Sequence, residues 1–176
     1  MRSAFPALSM TFVLLSTAAS SLRAQTTPVQ PGVPVAQSAE DERGVLAAID
    51  TFLIGLRTQD TALMARQVDS LTRFTLLRPS PAGTRIMLLT PAQFMAAVTR
   101  PGQPALDEPI RNPVVHVDGD LASVWAEYQV RIDGRVSHCG FDAFHLARLA
   151  GRWKILNVSD TFRRAGCGDM WPAAGR

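Results

Sequence analysis

The feature that most constrains this chain is the stretch 110–162, where four β-rich segments are separated by three turn dipeptides. Ile110–Val117, Leu121–Ile132, Val136–Leu149 and Arg152–Phe162 are the segments; Asp118-Gly119, Asp133-Gly134 and Ala150-Gly151 stand between them. Such pairs supply the positive φ that tight hairpins need, so the pattern predicts an antiparallel meander. In Leu121–Ile132, Ala122, Val124, Ala126, Tyr128, Val130 and Ile132 alternate with Ser123, Trp125, Glu127, Gln129 and Arg131. A strand shows alternate side chains to opposite faces, so the first set faces the core. A turn at 118–119 or at 119–120 then sends Val115 and Val117 inward and His116 outward.

The residues ahead of the meander carry a helical period. Ser38-Ala39-Glu40-Asp41 resembles a capping box, and Leu46, Ile49, Leu53 and Leu56 follow at helical spacing, predicting a helix from about Ala39 to Thr58. Asp60 can cap a second, shorter helix carrying Leu63, Met64 and Val68; Leu71–Leu77 and Arg85–Leu89 read as strands around a Pro- and Gly-containing turn. Thr90-Pro91-Ala92-Gln93 predicts a third helix that ends before Pro101-Gly102. Helices first and an antiparallel sheet last make an α+β domain with helices packed on one sheet face.

The N-terminus reads as an export signal. Met1-Arg2-Ser3 is a short basic start, Leu8–Ala19 an apolar stretch too short to span a bilayer, and Ser20–Ala24 a small-residue cleavage region. Cleavage is expected after Ala24, with Ser20 the competing position and an uncleaved anchor the alternative. The resulting plan is a signal peptide at 1–24, a flexible Pro-rich linker at 25–38, the folded domain at 39–168 and a tail at 169–176. The mature protein is expected to be periplasmic or secreted and free of the membrane. In that oxidising setting Cys139 and Cys167 are expected to form a disulfide, with free thiols as the alternative. The formal charge of +3 includes Arg2 and Arg23, and without them 16 basic face 15 acidic residues. No Lys/Arg run points to nucleic acid. Three histidines without metal-ligand spacing, no Gly-rich phosphate loop and no Gly-x-Ser-x-Gly turn leave no metal or cofactor expected.

The last hairpin, paired 149 to 152, puts Phe144, Leu146, Trp153 and Ile155 on the core face together with His138, Asp142, Asn157, Ser159 and Thr161. This needs a bulge or three-residue loop near Gly134. Phe141, Ala143, Leu156 and Val158 then join Trp125 on the outer face, an apolar patch that predicts a two-fold homodimer.

The order of elements is similar to that of the nuclear-transport-factor-2-like superfamily. The resemblance rests on Asp118-Gly119-Asp120-Leu121-Ala122-x-Val124-x-Ala126-x-Tyr128, on His138-Cys139-Gly140-x-Asp142-x-Phe144-x-Leu146 with Gly151-Arg152-Trp153-Lys154-Ile155, and on Asp160-Thr161-x-Arg163-x-x-x-Cys167. These elements resemble exported bacterial members described as SnoaL-like or putative lumazine-binding. The resemblance implies a cone, a curved sheet wrapped round a helix and enclosing a pocket for a small, largely apolar molecule. Some members are ketosteroid isomerases or polyketide cyclases and many are binding or accessory domains, so the fold does not name the activity.

Within such a pocket Asp142 is either a general base or a hydrogen-bonding wall residue. His138, four residues away and about 13 Å along the strand, is either a second pocket group or a structural residue beside Cys139. Tyr128, the only tyrosine, either donates to a ligand oxygen or is a core aromatic. Asn157, Ser159 and Thr161 complete the expected polar, ligand-binding set. The paired aspartates and tyrosine of the isomerases have no clear equivalent here, and His138 with Asp142 does not reproduce the cyclases' His–Asp pair. The expectation is therefore an exported small-molecule-binding or accessory domain. An isomerase or cyclase working by proton transfer and a ligand-free dimerisation module are the alternatives.

Overall fold

The structure is a computed structural model that describes residues 38–170. The expected signal peptide and nearly all of the linker lie outside the described residues, as do residues 171–176. Helix α1 (Ala39–Thr58) starts on Ser38, whose side chain accepts from the Asp41 amide, and ends where Gln59 turns left-handed. Its apolar stripe of Val45, Ile49, Phe52, Leu53 and Leu56 is buried against the sheet and is the spine of the core. Helix α2 (Thr61–Ala65) is capped by Asp60 and buries Met64. Val68, expected on this helix, instead opens strand β1 (Val68–Ser80). Strand β2 (Gly83–Leu89) folds back on β1, and helix α3 (Pro91–Val98) follows with the capping box of Thr90 and Gln93 in place.

The meander forms as the turn dipeptides require: β3 (Ile110–Asp118), β4 (Leu121–Ile132), β5 (Arg135–Leu149) and β6 (Arg152–Asp160). Asp133 and Gly134 have φ of 49° and 74°, and Ala150 and Gly151 of 49° and 75°, as a two-residue hairpin with two left-handed positions demands. The six strands lie in the order β2-β1-β6-β5-β4-β3. Strand β6 pairs antiparallel with β5 and parallel with β1, so the last strand of the chain occupies the middle of the sheet. A short helix α4 (Cys167–Met170) follows.

Two bulges decide which residues face inward. Opposite Val130 stands His138 and opposite Arg131 stands Val136, so Ser137 is the extra residue on β5. It restores the alternation that the tight turn at 133–134 would otherwise invert, and His138 and Asp142 point to the core face. Between β5 and β6, Leu146 pairs with Ile155 but His145 with Asn157, which makes Leu156 the extra residue. Every side chain after it changes face. Val158, expected outside, is buried, while Asn157 and Ser159, expected on the core face, lie on the opposite one.

Cys139 and Cys167 are joined by a disulfide, their Cα atoms 5.6 Å apart. It clasps the segment after β6, which turns at Gly166 (φ 72°) and also bridges Arg163 to the Cys139 backbone. No helix among the described residues is long and apolar enough to cross a membrane.

Candidate functional site

A cavity of about 220 Å3 lies between the concave sheet face and the helices. Its apolar walls come from α1 (Phe52, Leu53, Leu56), α3 (Phe94, Ala97, Val98), β1 (Phe74, Leu76) and β2 (Met87, Leu89). Phe74 stacks on Phe94 with centroids 4.1 Å apart, and Phe52 lies 5.8 Å and 5.9 Å from the two. Helical spacing on α1 and strand alternation on β1 thus converge on one aromatic wall.

Against this wall stands a compact polar group: Glu108 from the loop before β3, Asp142 from β5, Asp160 from β6, Arg78 from β1 and His138. Asp142 and Asp160 are cross-strand neighbours. Arg78 donates to Asp160 Oδ1 at 2.6 Å, and the same oxygen accepts from the Leu77 amide at 3.1 Å. That pair compensates one of the three carboxyls. The other two, Asp142 and Glu108, are within hydrogen-bonding reach of one another. Asp142 is 1% exposed and its Oδ2 meets no donor. Two ionised carboxylates only accept, so the contact is satisfied when they share a proton. Burial, followed by the charge of Asp160, pushes Glu108 up to about 7. Burial, followed by the charges of Glu108 and Asp160, holds Asp142 well above the usual carboxylate range. The two titrate as a pair, and their burial favours the protonated form of each.

His138 lines the same cavity, stacked on Phe162 at 4.5 Å, with Nδ1 3.2 Å from Ser137 Oγ. Burial, with the charges of Arg78 and Arg164, lowers its pKa to about 4, so the ring is neutral at physiological pH. No cluster of His, Cys, Asp and Glu suited to a metal ion occurs among the described residues.

No family sequence model matches the chain, and no curated protein does. Solved structures do. A nuclear-transport-factor-2-like protein from Cytophaga hutchinsonii matches with a TM-score of 0.57 and 16% identity, over 71% of this chain and 98% of that one. One of unknown function from Shewanella baltica matches with a TM-score of 0.57 and 10% identity, over 74% and 100%. A protein of unknown function from Nostoc punctiforme, described as cystatin-like in fold, matches with a TM-score of 0.59 and 12% identity, over 73% and 95%. The domain has the nuclear-transport-factor-2-like fold.

Within this nuclear-transport-factor-2-like domain the residues singled out from sequence are spread over three environments. Asp142 and His138 reach the cavity. Tyr128 is buried, and its hydroxyl donates to the Thr161 carbonyl at 2.6 Å; burial and the nearby carboxylates raise its pKa further. Thr161 Oγ1 accepts from the Phe141 amide at 2.9 Å, which fixes the end of β6. A Cβ on Gly140 would stand 2.1 Å from that same carbonyl oxygen, so only glycine lets Tyr128 and Thr161 meet there. Asn157 and Ser159 lie on the outer side, where Ser159 Oγ donates to Asn157 Oδ1 at 2.8 Å and Asn157 Nδ2 to Thr75 Oγ1 at 3.3 Å.

Sequence reasoning missed Glu108, Arg78 and Asp160 as cavity residues. Glu108 sits in a proline-flanked loop with no period to orient it. Asp160 reaches the cavity only because of the bulge at Leu156, which leaves no mark in the residue pattern.

Proposed function

We propose that this is an exported domain that binds a small, largely apolar molecule carrying one hydrogen-bond acceptor such as a carbonyl. The observation that carries the reading is the 220 Å3 apolar cavity bordered by the Asp142 and Glu108 carboxyls, whose burial favours their protonated forms. Leaving such a volume unfilled forgoes packing of on the order of 5 kcal/mol, a large share of a domain's net stability. A protonated carboxyl in an apolar surround is a strong donor to a ligand oxygen. Export is supported by the signal-like N-terminus and the disulfide.

A second reading, proton transfer at the ligand, is favoured by Glu108 at about 7, since an acid or base works best with its pKa near the operating pH. Binding and proton transfer are separated with 2-acetylnaphthalene, a neutral ketone, as probe. Its affinity is expected to weaken as pH rises through about 7, because the pair loses the proton it donates. In Asp142→Asn the amide still donates, so affinity is retained and its pH dependence flattens. An affinity indifferent to pH in the unaltered protein overturns the reading. Catalysed exchange of the probe's methyl protons in deuterated water, lost in Asp142→Asn, would establish the enzyme; binding without exchange leaves a binding domain.

The outer sheet face supports a two-fold homodimer. Trp125 is 50% exposed and stacks on Phe141 at 5.2 Å, with Val114 51% exposed beside it. Leu156 is part of the expected patch and Val158 is not, since it faces the cavity. A monomer mass by light scattering at micromolar concentration overturns the dimer.

A further inference from the structure

The cavity shares Arg78 and Met87 with a second recess of about 540 Å3, whose other walls are Pro79, Phe162 and three more arginines, Arg85, Arg163 and Arg164. Among the described residues no carboxylate lines it. The arrangement has an electrostatic cost. Arg78 and Arg85 are directly paired across the β1–β2 hairpin, where like charges repel. Arg78 is compensated by Asp160. The Arg78 and Arg164 guanidinium groups lie 5.1 Å and 5.7 Å from the centroid of the Phe162 ring, and Arg163 lies over Phe141 at 5.8 Å. The disulfide between Cys139 and Cys167 holds the 163–164 segment against the strands. Arginines gathered this way present planar forks that match a carboxylate, sulfate or phosphate, and stacking on an aromatic ring limits the side-chain freedom lost on binding.

We infer that the ligand is amphipathic: its apolar body fills the cavity and an anionic group covalently attached to it is held by Arg85 and Arg164 in the adjoining recess. This rests on the cavity-binding reading above and adds the charge of the ligand and the place where it is read.

The test compares 2-acetylnaphthalene with a series bearing a carboxylate on a spacer of increasing length, for the unaltered protein and for the Arg85→Gln/Arg164→Gln double variant. At least one carboxylate homologue is expected to bind the unaltered protein about tenfold tighter than the neutral ketone. That advantage falls with added salt and disappears in the double variant, whose affinity for the neutral ketone is unchanged. If the ketone binds and no homologue gains, or if the gain survives in the double variant, the inference is overturned while cavity binding stands. If the ketone does not bind either protein, cavity binding itself fails and the inference with it. Inorganic phosphate that binds the unaltered protein, is lost in the double variant and coincides with no gain for any homologue marks a separate anion site and overturns the amphipathic ligand. Unchanged thermal midpoints in the double variant exclude a folding defect, since both replaced side chains are exposed.

Discussion

Two recesses share the Arg78 and Met87 side chains and have opposite chemistry. The first is apolar, enclosed by helices and sheet, and holds three carboxyls to one arginine. The second is lined by four arginines and no carboxylate among the described residues. Burial explains the difference. Inside, a charge must find a partner or be neutralised, and Asp160 takes Arg78 while burial favours the protonated forms of Asp142 and Glu108. Outside, water screens like charges well enough for four guanidinium groups to gather. One arginine, paired inward and stacked outward on Phe162, belongs to both environments.

The comparison breaks most visibly at the disulfide. Arg163 and Arg164 lie in the loop that Cys139 and Cys167 close, whereas the cavity walls come from α1, α3 and the strands. Replacing both cysteines by serine is expected to lower the unfolding free energy by about 3 kcal/mol. Urea titration reads this. While the protein remains folded, the affinity for the neutral ketone should hold and the preference for its carboxylate homologues should shrink. A smaller effect is expected from filling the cavity alone. Ala97 is an exposed α3 residue that also lines the cavity. Ala97→Trp should weaken the ketone by about tenfold or more, with only a few tenths of a kcal/mol of helix cost, and isothermal calorimetry checks it. Unchanged affinity would place the ketone elsewhere. Smallest is Tyr128→Phe, which leaves the Thr161 carbonyl without its hydroxyl donor. It should cost about 1 kcal/mol of stability and alter neither binding affinity. A loss of affinity without loss of stability would assign Tyr128 to the ligand.

The β4 alternation was legible because both its faces keep one period from Leu121 to Val130, and the turn dipeptides fixed where the strands reverse. The caps at Ser38, Asp60 and Thr90 were legible for a similar reason, since local chemistry alone specifies them. The cavity was legible only where a period extended into it. Asp142 keeps the face of Phe144 and Leu146 and was found. Asp160 lies beyond the Leu156 bulge, where a register shift reverses inside and outside, and bulges are set by how neighbouring strands fit rather than by residue type. Glu108 depends on a loop whose path follows from packing alone, and Arg78 was read as part of a turn because Pro79 and Pro81 follow it.

The position of β6 has a bearing on how the domain comes into being. Because the last strand lies between β1 and β5, a chain still missing residues 152–160 contains two unconnected ribbons, β2-β1 and β5-β4-β3, each with a bare inner edge. Neither can close the cavity, and the pairing that joins them links residues more than eighty positions apart, such as Phe74 with Val158. The domain therefore matures only after nearly its whole length has been synthesised. Until that final strand arrives to join the two parts, neither the sheet nor the cavity is complete.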